Sequence, residues 1–493
     1  MGSVSESMHQ RGRTAIGRGE LSRPLKLAIN SGLLTSGTSL FDYGCGRGDD
    51  LRRLDALGFA ASGWDPVHRP ETPRKTASVV NLGYVVNVIE DPAERAQALK
   101  GAWNLAGDVL IVSARTTMDG RFLTERTPFS DGLMTARDTF QKFFEQSELR
   151  SWIDETLGVA SVPAAPGIFY VFRDESRRAS FMATRYRRRL AVPRQKHAEA
   201  LYTAHETLLA PLMEFMSERG RLPVAGELPG EQAITEALGS VRRAFRVIAR
   251  ATDDKSWEDV AAARKQDLLI YLALLRFDIR PQFTKLPVGL QADIKAFFGT
   301  YKSACASADE QLFSLGDPAV IEGAFRDAAT GKLTPSAFYV HVSALDQLPA
   351  TLRMLEGCAR GYIGEVEEAN LIKFHRDEPK ISYLSYPAFD TDPHPALSES
   401  LSVHLQTFRV RTRFYADRAN APVLHRKETF VAPDYPQYAK FARLTRLEEQ
   451  KGLLDETSRI GTRDGWNAVL TAHGLRLKGH RLVADQAPFQ GRQ

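Results

Sequence analysis

The stretch SLFDYGCGRGDDL, residues 39–51, decides the fold expected for the N-terminal third of the chain. An apolar, strand-like run ends at Tyr43, three glycines follow at every second position, and a helical pattern begins at Asp49. Glycine lets the backbone turn sharply and lets a ligand approach without meeting a Cβ, and the free amides at a helix start suit a polar ligand. The stretch therefore predicts a strand, a ligand-binding turn and a helix in succession.

The spacing of the glycines and of two acidic residues narrows the kind of ligand. The pattern is GxGxG preceded by Asp42, which is neither the GxGxxG of dinucleotide folds nor a phosphate loop ending in GK[ST]. The next strand-like run ends in GWDP, which places Asp65 23 positions after Asp42. In dinucleotide folds an acid at this place accepts hydrogen bonds from ribose hydroxyls. The two signals predict a nucleoside site, and a plain tight turn is the alternative.

Strand-like and helical patterns divide the chain into three parts. Between residues 40 and 172, strand-like runs alternate with helix-length polar segments, which predicts a parallel sheet of βαβ units; the runs are SLFDYG, FAASGWDP, ASVVNLGYVV, DVLIVSA and IFYVF. Residues 195–278 contain long helical patterns, and mixed patterns with aromatic-rich runs follow from residue 281. We therefore expect an α/β domain with a basic N-terminal arm over 1–175, a basic helical domain over 176–280, and a mixed α/β C-terminal domain over 281–493.

Composition excludes several classes of protein. The chain has 493 residues, 43% of them hydrophobic and 25% charged, which suits about two to four globular domains and excludes collagen, a coiled coil or a disordered chain. No window approaches the roughly 18 consecutive apolar residues of a membrane span, and no signal peptide is evident, so we expect a cytoplasmic protein without membrane contact. The three cysteines lie far apart, which argues against a disulfide framework or a thiolate zinc site.

Three segments carry a resemblance to a known enzyme family. DYGCGRG, the WDP acid and NLGYVVNVIED at residues 81–91 resemble the nucleotide-binding motifs of class I S-adenosylmethionine-dependent methyltransferases. The resemblance implies a Rossmann-like fold and S-adenosyl-L-methionine as cofactor, with Asp65 at the ribose. The other cofactor-binding positions that it implies are Asp42, Gly44, Gly46, Gly48 and Gly83.

More narrowly, the chain resembles the family of DNA phosphorothioation-associated methyltransferases over nearly its full length. The supporting stretches include TAIGRGELSRP, FDYGCGRGDDLRRL, NLGYVVNVIEDPAER, VPAAPGIFYVFRDE and KFARLTRLEEQKGLL. This resemblance implies association with DNA phosphorothioate modification proteins, in systems that replace a backbone oxygen of DNA by sulfur.

The candidate catalytic residues are polar groups near the end of the strand that the family numbers fourth. They are Tyr84, Asn87 and Glu90, where Glu90 would act as a base and Asn87 would hold an acceptor amine. The alternative is that they only touch the cofactor. The segment lacks both the Asp/Asn-Pro-Pro-aromatic motif and the Pro-Cys nucleophile of DNA-methylating enzymes, which leaves the acceptor open. Cys45, inside the glycine loop, is interpreted as a packing residue.

Two basic regions suggest contact with nucleic acid. The segment from Arg173 to Lys196 contains nine Arg or Lys residues and two acidic residues. Tyr186 within this basic segment offers a stacking surface, and four arginines offer phosphate contacts: Arg185, Arg187, Arg188 and Arg189. Packing between domains is the alternative. A helix-turn-helix-like stretch, EQAITEALGSVRRAFRVIARA, carries three further arginines, Arg242, Arg243 and Arg246. The later histidines, among them His394, His404 and His425, are not at ligand spacing, so no metal site is expected.

These observations lead to one favoured function and two alternatives. The favoured hypothesis is S-adenosylmethionine-dependent methylation of nucleic acid, with DNA as the expected substrate, in a modification or defence setting. The first alternative is a nucleoside-binding module that senses or binds DNA without turnover. The second is a methyltransferase that acts on RNA or a small molecule.

Overall fold

The computed structural model describes Thr14 and residues 20–120, 126–135, 139–188 and 200–485. The described residues form two compact units. The first contains the residues up to Arg178 together with Arg360–Val366, and the second contains the rest. The expected division into three domains stays a prediction, and most of the expected N-terminal arm lies outside the described residues.

The first unit is built around a six-stranded mixed sheet in the order β2-β1-β3-β4-β9-β8. Its strands are β1 Ser39–Tyr43, β2 Ala60–Trp64, β3 Ala77–Gly83, β4 Ala106–Ser113, β8 Val162–Ala165 and β9 Ile168–Phe172, and a smaller sheet contains β5 Arg126–Phe129, β6 Gly132–Thr135 and β7 Phe140–Gln141. The helices are α1 Arg23–Asn30, α2 Asp49–Ala56, α3 Pro92–Leu105, α4 Thr117–Gly120 and α5 Gln146–Leu157, and helix α6 Glu175–Arg185 begins in this unit and continues into the second. Strands β1 to β4 pair in parallel, which confirms the Rossmann-like α/β core.

Two details of the sheet differ from the expectation. The IFYVF strand, β9, runs antiparallel to β4 instead of extending the parallel sheet. Only Pro166 and Gly167 separate β8 from β9, and such a short link joins antiparallel neighbours, so these two strands form a hairpin instead of a further βαβ unit. The segment that the resemblance numbers as the fourth strand is β3, the third along the described chain, and it lies directly beside β1.

Apolar side chains of the sheet and its helices form the core of the first unit. Most residues of β3 and β4 are buried, as expected for parallel strands covered on both faces. Fully burying one large apolar side chain stabilises the fold by about 1.5–3 kcal/mol. The buried core residues include Phe41, Val80, Leu110, Phe144 and Phe169.

A short segment from much later in the chain completes this unit. The amide of Glu365 donates a 2.7 Å hydrogen bond to the carbonyl of Ala164 in β8. Gly364 has a φ of 80°, and a Cβ there would clash with the backbone at Ala164 and Ala165. Glycine is therefore required for this close approach of two backbones.

The second unit begins with helices and continues into an antiparallel sheet. Its helices are α7 Ala200–Ala204, α8 Glu206–Arg219, α9 Glu231–Leu238, α10 Val241–Thr252, α11 Asp254–Leu274, α12 Val288–Phe298, α13 Tyr301–Ser314, α14 Pro318–Asp327, α15 Ala350–Ile363, α16 Tyr438–Gln450 and α17 Arg463–Ala472. The strands are β10 Lys332–Leu333, β11 Ala337–His341, β12 Leu371–His375, β13 Lys380–Ser385, β14 Glu399–His404, β15 Val410–Phe414, β16 Leu475–Leu477 and β17 Leu482–Ala484. Strands β10 to β15 form one sheet in chain order. In the described part of the chain, no helix has the length and apolar character needed to cross a membrane.

One buried arginine anchors the small sheet of the first unit. Arg95 in α3 is 3% exposed and donates two hydrogen bonds to Asp131, at 2.7 and 3.1 Å, and two to the carbonyl of Ile89. Lys142 Nζ lies 3.0 Å from the same carboxylate. Hydrogen bonds from Arg95 and Lys142 lower the pKa of Asp131 from 3.8 to about 2.

We expect Asp131→Asn to lower the free energy of unfolding at pH 7 by about 1–3 kcal/mol, since Arg95 would lose the partner of its buried charge. A carboxyl whose pKa is lowered on folding stabilises the fold above its ordinary pKa and loses that contribution as the pH falls toward 2. Urea unfolding followed by circular dichroism at pH 7 and pH 3 measures the effect, with the exposed Asp55→Asn as control. A difference between variant and wild type that does not shrink at pH 3 would contradict this account.

Candidate functional site

The glycine loop between β1 and α2 adopts a backbone that only glycine accepts easily. Gly44, Gly46 and Gly48 have φ values of 89°, 51° and 76°, in the left-handed region. A Cβ at Gly44 would clash with the side chain of Val85, and a Cβ at Gly48 would lie 2.7 Å from a guanidinium nitrogen of Arg69. The loop therefore places its backbone at the carboxyl end of β1 with no side chain at these three positions.

The Asp65 carboxylate holds this loop in place. It follows β2, and its Oδ2 accepts a 3.0 Å hydrogen bond from the amide of Gly46. Its Oδ1 accepts from the amides of Val67 and His68, at 2.9 and 2.8 Å. A carboxylate offers about four acceptor positions, so Oδ2 keeps one for a further donor. The ribose contact of Asp65 stays a prediction, and the structure adds a positioning role that the sequence did not indicate.

Inside the sheet, Asp42 pairs with a residue that the sequence analysis missed. Asn81 lies opposite it in β3 and donates a 2.8 Å hydrogen bond from Nδ2 to Asp42 Oδ1. Both residues are buried, and Asn81 Oδ1 has no hydrogen-bond partner among the described residues. A Cβ at Gly83 would lie 2.8 Å from Asn81 Nδ2. The signal that could have found Asn81 is an amide inside the otherwise apolar run ASVVNLG.

Tyr84 stands out among the candidate catalytic residues because of its backbone. Its φ is 59°, and its amide donates a 2.9 Å hydrogen bond to the carbonyl of Ser113 at the end of β4. A left-handed conformation at a residue other than glycine costs on the order of 1–3 kcal/mol and is concentrated at functional sites. Ser113 Oγ is buried without a hydrogen-bond partner among the described residues. The carboxyl ends of β3 and β4 thus combine a strained backbone with spare hydrogen-bonding capacity.

Asn87 is buried and hydrogen-bonded within the protein, beyond what holding an acceptor amine would require. It is 1% exposed, and its Nδ2 donates a 3.0 Å hydrogen bond to Gln141 Oε1. Its carbonyl accepts from the amide of Lys142. These contacts anchor the β3–α3 connection to β7, so a structural role of Asn87 is clear, whereas its contact with an acceptor amine stays a prediction. Glu90, further along the connection, is half-buried.

Cys45 has the properties of a packing residue and not of a nucleophile. Burial raises the pKa of its thiol to about 12, and the carboxylates of Asp42 and Asp65 add to the shift. The thiolate is the reactive form, so this side chain remains a protonated thiol at neutral pH. A Cβ at Gly63 would lie 2.9 Å from the Cβ of Cys45, which fits the expected packing role.

The basic segment is more fully paired than expected. Arg187 donates a 2.8 Å hydrogen bond to Glu218, and the guanidinium of Arg188 lies 3.3 Å from Asp267. Tyr186 is 4% exposed, so its ring is not available to stack on a base; this corrects the expectation. The guanidinium of Arg185 lies 5.8 Å from the ring centroid of Phe181. Arg189 lies outside the described residues, and nucleic-acid contact by the segment stays a prediction.

Asp267 is the centre of this pairing. Its carboxylate accepts hydrogen bonds from Arg353, at 2.7 Å, from Arg264, at 3.2 Å, and from the amide of Arg188, at 2.9 Å. The side chains of Asp267, Arg264 and Arg353 are each less than a tenth exposed. One carboxylate thus compensates more than one buried positive charge.

A different basic surface is exposed on α10. Helices α9 and α10 are joined by Gly239 and Ser240, and Ser240 Oγ caps α10 by accepting from the amide of Arg243. Four arginines of α10 are exposed and have no carboxylate partner among the described residues: Arg242, Arg243, Arg246 and Arg250. At about 100° per residue they occupy an arc of roughly 100° on the helix. We call these four residues the α10 arginine face.

Comparison with known proteins gives structural neighbours but no family. No protein-family model matches the sequence, and no curated protein is significantly similar to it. One similar structure is the sugar N-methyltransferase KedS8 from Streptoalloteichus sp. ATCC 53650, with 18% identity, a TM-score of 0.26, and coverage of 36% of this chain and 94% of that chain.

Two further neighbours were solved with bound S-adenosylmethionine. CalS10, an amino pentose methyltransferase from Micromonospora echinaspora, has 17% identity and a TM-score of 0.25 and covers 35% of this chain and 98% of its own. The magnesium protoporphyrin IX methyltransferase ChlM from Synechocystis PCC 6803 has 13% identity and a TM-score of 0.22, with 35% and 92% covered. These neighbours are methyltransferases. Their TM-scores lie far below 0.5, so the likeness itself assigns no ligand or substrate to this chain.

We expect Asp267→Asn to lower the free energy of unfolding by about 3–5 kcal/mol, because it leaves buried arginines without a compensating charge. Urea unfolding followed by tryptophan fluorescence measures the change. Asp259→Asn, at an exposed position of the same helix, should leave stability within about 0.5 kcal/mol of wild type. Equal stabilities of the two variants would show that Asp267 does not organise the basic segment.

Proposed function

We propose that the first unit binds S-adenosylmethionine and transfers its methyl group to an acceptor. The observation that carries the proposal is the position of the glycine loop. In the sheet, β2 lies on one side of β1, and β3 and β4 follow on the other side. The order of the strands therefore reverses at β1. In open α/β sheets ligands bind at the carboxyl ends of the strands where the order reverses, and the glycine loop lies there.

The residues present at this edge fit a nucleoside cofactor. Asp65 keeps an acceptor position at Oδ2 for a ribose hydroxyl, while its other bonds fix the loop. Gly44, Gly46 and Gly48 keep the left-handed turn that places the loop backbone at this edge. Asn81 Oδ1 and Ser113 Oγ are buried without a partner among the described residues, and they supply further hydrogen-bonding capacity on β3 and β4. Asp42 lies inside the sheet, so we assign it a role through Asn81 rather than a direct contact.

When bound, S-adenosylmethionine supplies an activated methyl group on a sulfonium. What the chain must contribute is alignment of the acceptor, which accounts for a large part of such a barrier. Tyr84 is the residue that we place nearest the acceptor, because its strained backbone fixes it at the strand edge. Glu90 would accept a proton if the acceptor carries one.

For the acceptor, we propose nucleic acid, with the α10 arginine face as the contact. Four exposed arginines that have no carboxylate partner in the described part of the chain match a phosphate backbone in charge, whereas Arg187 and Arg188 already face carboxylates. The preference for DNA over RNA, and any association with phosphorothioate modification proteins, rests on the sequence resemblance. A module that binds nucleoside and DNA without turnover has the same geometry and differs only in lacking methyl transfer.

We expect the wild-type protein to bind S-adenosylmethionine and Asp65→Ala to bind at least tenfold more weakly, since the variant loses both the ribose acceptor and the loop anchor. Isothermal titration calorimetry measures the affinity, with Asp55→Ala, exposed on α2, as control. A folded wild-type protein that binds no S-adenosylmethionine would rule the proposal out. Binding without transfer of a tritiated methyl group to DNA, RNA or small acceptors would favour the non-catalytic module.

For the nucleic-acid contact, charge reversal at three positions of the α10 arginine face, Arg242, Arg246 and Arg250→Glu, should weaken duplex DNA binding at least tenfold. Each phosphate contact contributes about 0.9 to the slope of log affinity against log salt, so the slope should fall by up to about 3. Fluorescence anisotropy over a salt series measures both quantities.

The matched control reverses the same number of charges at exposed arginines that have carboxylate partners: Arg326, Arg459 and Arg476. This control should bind DNA with a nearly unchanged affinity and slope. Equal losses in both triple variants would mean that net charge alone governs binding, and no loss in either would remove the α10 arginine face from the proposal.

A further inference from the structure

Three potential metal ligands converge in the second unit, far from the glycine loop in sequence. His394 lies between β13 and β14, His425 follows β15, and Glu448 lies in α16. One ligand atom from each lies within 4.8 Å of the other two. Glu448 is 0% exposed, and His394 is buried. The sequence analysis found no ligand spacing here because the three residues meet only after folding.

Hydrogen bonds orient both imidazole rings toward Glu448 and toward each other. His394 Nδ1 lies 3.2 Å from the carbonyl of Leu424 and donates to it, so in a neutral ring Nε2 carries the lone pair. His425 Nε2 lies 2.8 Å from the carbonyl of Ile460, which leaves the lone pair on Nδ1. Metal-binding histidines typically donate the other ring N–H to a carbonyl in this way.

The atoms left over by these bonds are buried, and the part of the chain that the structure describes does not satisfy them. His394 Nε2 lies 2.7 Å from Glu448 Oε1, and two lone pairs at that distance repel each other unless a cation or a proton lies with them. His425 Nδ1 and Glu448 Oε2 have no hydrogen-bond partner among the described residues. A proton on His394 would satisfy only the first contact, whereas a bound cation would satisfy all three side chains.

Apolar side chains pack against the three residues. Trp466 packs against both imidazoles, with ring centroids 4.6 Å from His394 and 4.7 Å from His425. The cluster continues into the apolar core around Leu454 and Ile460. Such a shell excludes water and strengthens electrostatic attraction to a cation.

Neighbouring cations do not neutralise Glu448, because they have other partners. Arg426 forms an ion pair with Glu449. Lys427 donates 2.6 Å hydrogen bonds from Nζ to the carbonyls of Phe389 and Asp392. Neither Arg426 nor Lys427 is therefore the charge partner of Glu448.

We propose that His394, His425 and Glu448 bind a divalent transition-metal ion of the zinc class. Two imidazole nitrogens and one carboxylate are a ligand set that suits Zn²⁺ and leaves a fourth position for water. The ion links the β13–β14 connection, the segment after β15 and helix α16, so its binding stabilises the second unit. This site is independent of the methyl-transfer proposal, which concerns the first unit.

The test uses the full-length protein and Zn²⁺ itself. The protein is loaded with one equivalent of Zn²⁺ and then dialysed exhaustively. Metal analysis should find close to one ion per chain, and the thermal midpoint should rise relative to protein treated with a chelator. His425→Asn and Glu448→Gln should each lower the retained zinc at least tenfold. His473→Asn, at an exposed histidine whose ring bonds its own helix, should retain zinc like wild type.

If a ligand variant fails to fold, the wild-type protein with Zn²⁺ still tests the proposal. A wild-type protein that retains no zinc and has the same thermal midpoint with Zn²⁺ and with chelator overturns the proposal. The contact between His394 and Glu448 is then an ion pair, and His425 binds no ion. Equal zinc retention by His425→Asn and His473→Asn also overturns it. Loss of S-adenosylmethionine binding has no bearing on either result.

Discussion

The hydrogen bond from the Gly46 amide to the Asp65 carboxylate is the interaction on which the candidate site of the first unit depends. It ties the loop after β1 to the turn after β2, and two further amides fix the carboxylate itself. The left-handed glycines give the loop its path, but glycine alone leaves a chain free to adopt many others. Asp65 selects one path and thereby sets where a ligand can approach the strand ends. Burial raises the pKa of the Cys45 thiol, and the carboxylates of Asp42 and Asp65 add to the shift, so Asp65 both shapes the loop and helps to keep its thiol protonated.

Buried arginines perform a different task in each unit. In the first unit, Arg95 joins α3 to the small sheet through Asp131. In the second, Asp267 accepts hydrogen bonds from the buried Arg264 and Arg353 and from the amide of Arg188. A high local density of basic residues is therefore a poor guide to function in this chain, because part of that density compensates buried carboxylates. Position on an exposed helix face, as at α10, separates the arginines available to a partner from those used in packing.

Local patterns in the sequence predicted the parallel core and the glycine loop well, because both depend on neighbouring residues. The run from Phe41 to Asp50 contains its own strand, turn and helix start. What could not be predicted depends on contacts between distant segments: the pairing of Asp42 with Asn81, the burial of Tyr186, and the meeting of His394 with Glu448. The hairpin of β8 and β9 is an intermediate case, since Pro166 and Gly167 already indicated a tight link.

The segment Arg360–Val366 has a consequence for how the chain folds as it is synthesised. Because the carbonyl of Ala164 pairs with Glu365, the edge of the first unit is completed only after another 188 residues beyond Arg178 have been made. At 5–20 residues per second this takes about 10–40 s, during which β8 has no backbone neighbour at that position. An N-terminal fragment ending at Arg178 would keep that exposed edge permanently. The rate of translation therefore sets the time at which the first unit can complete its fold.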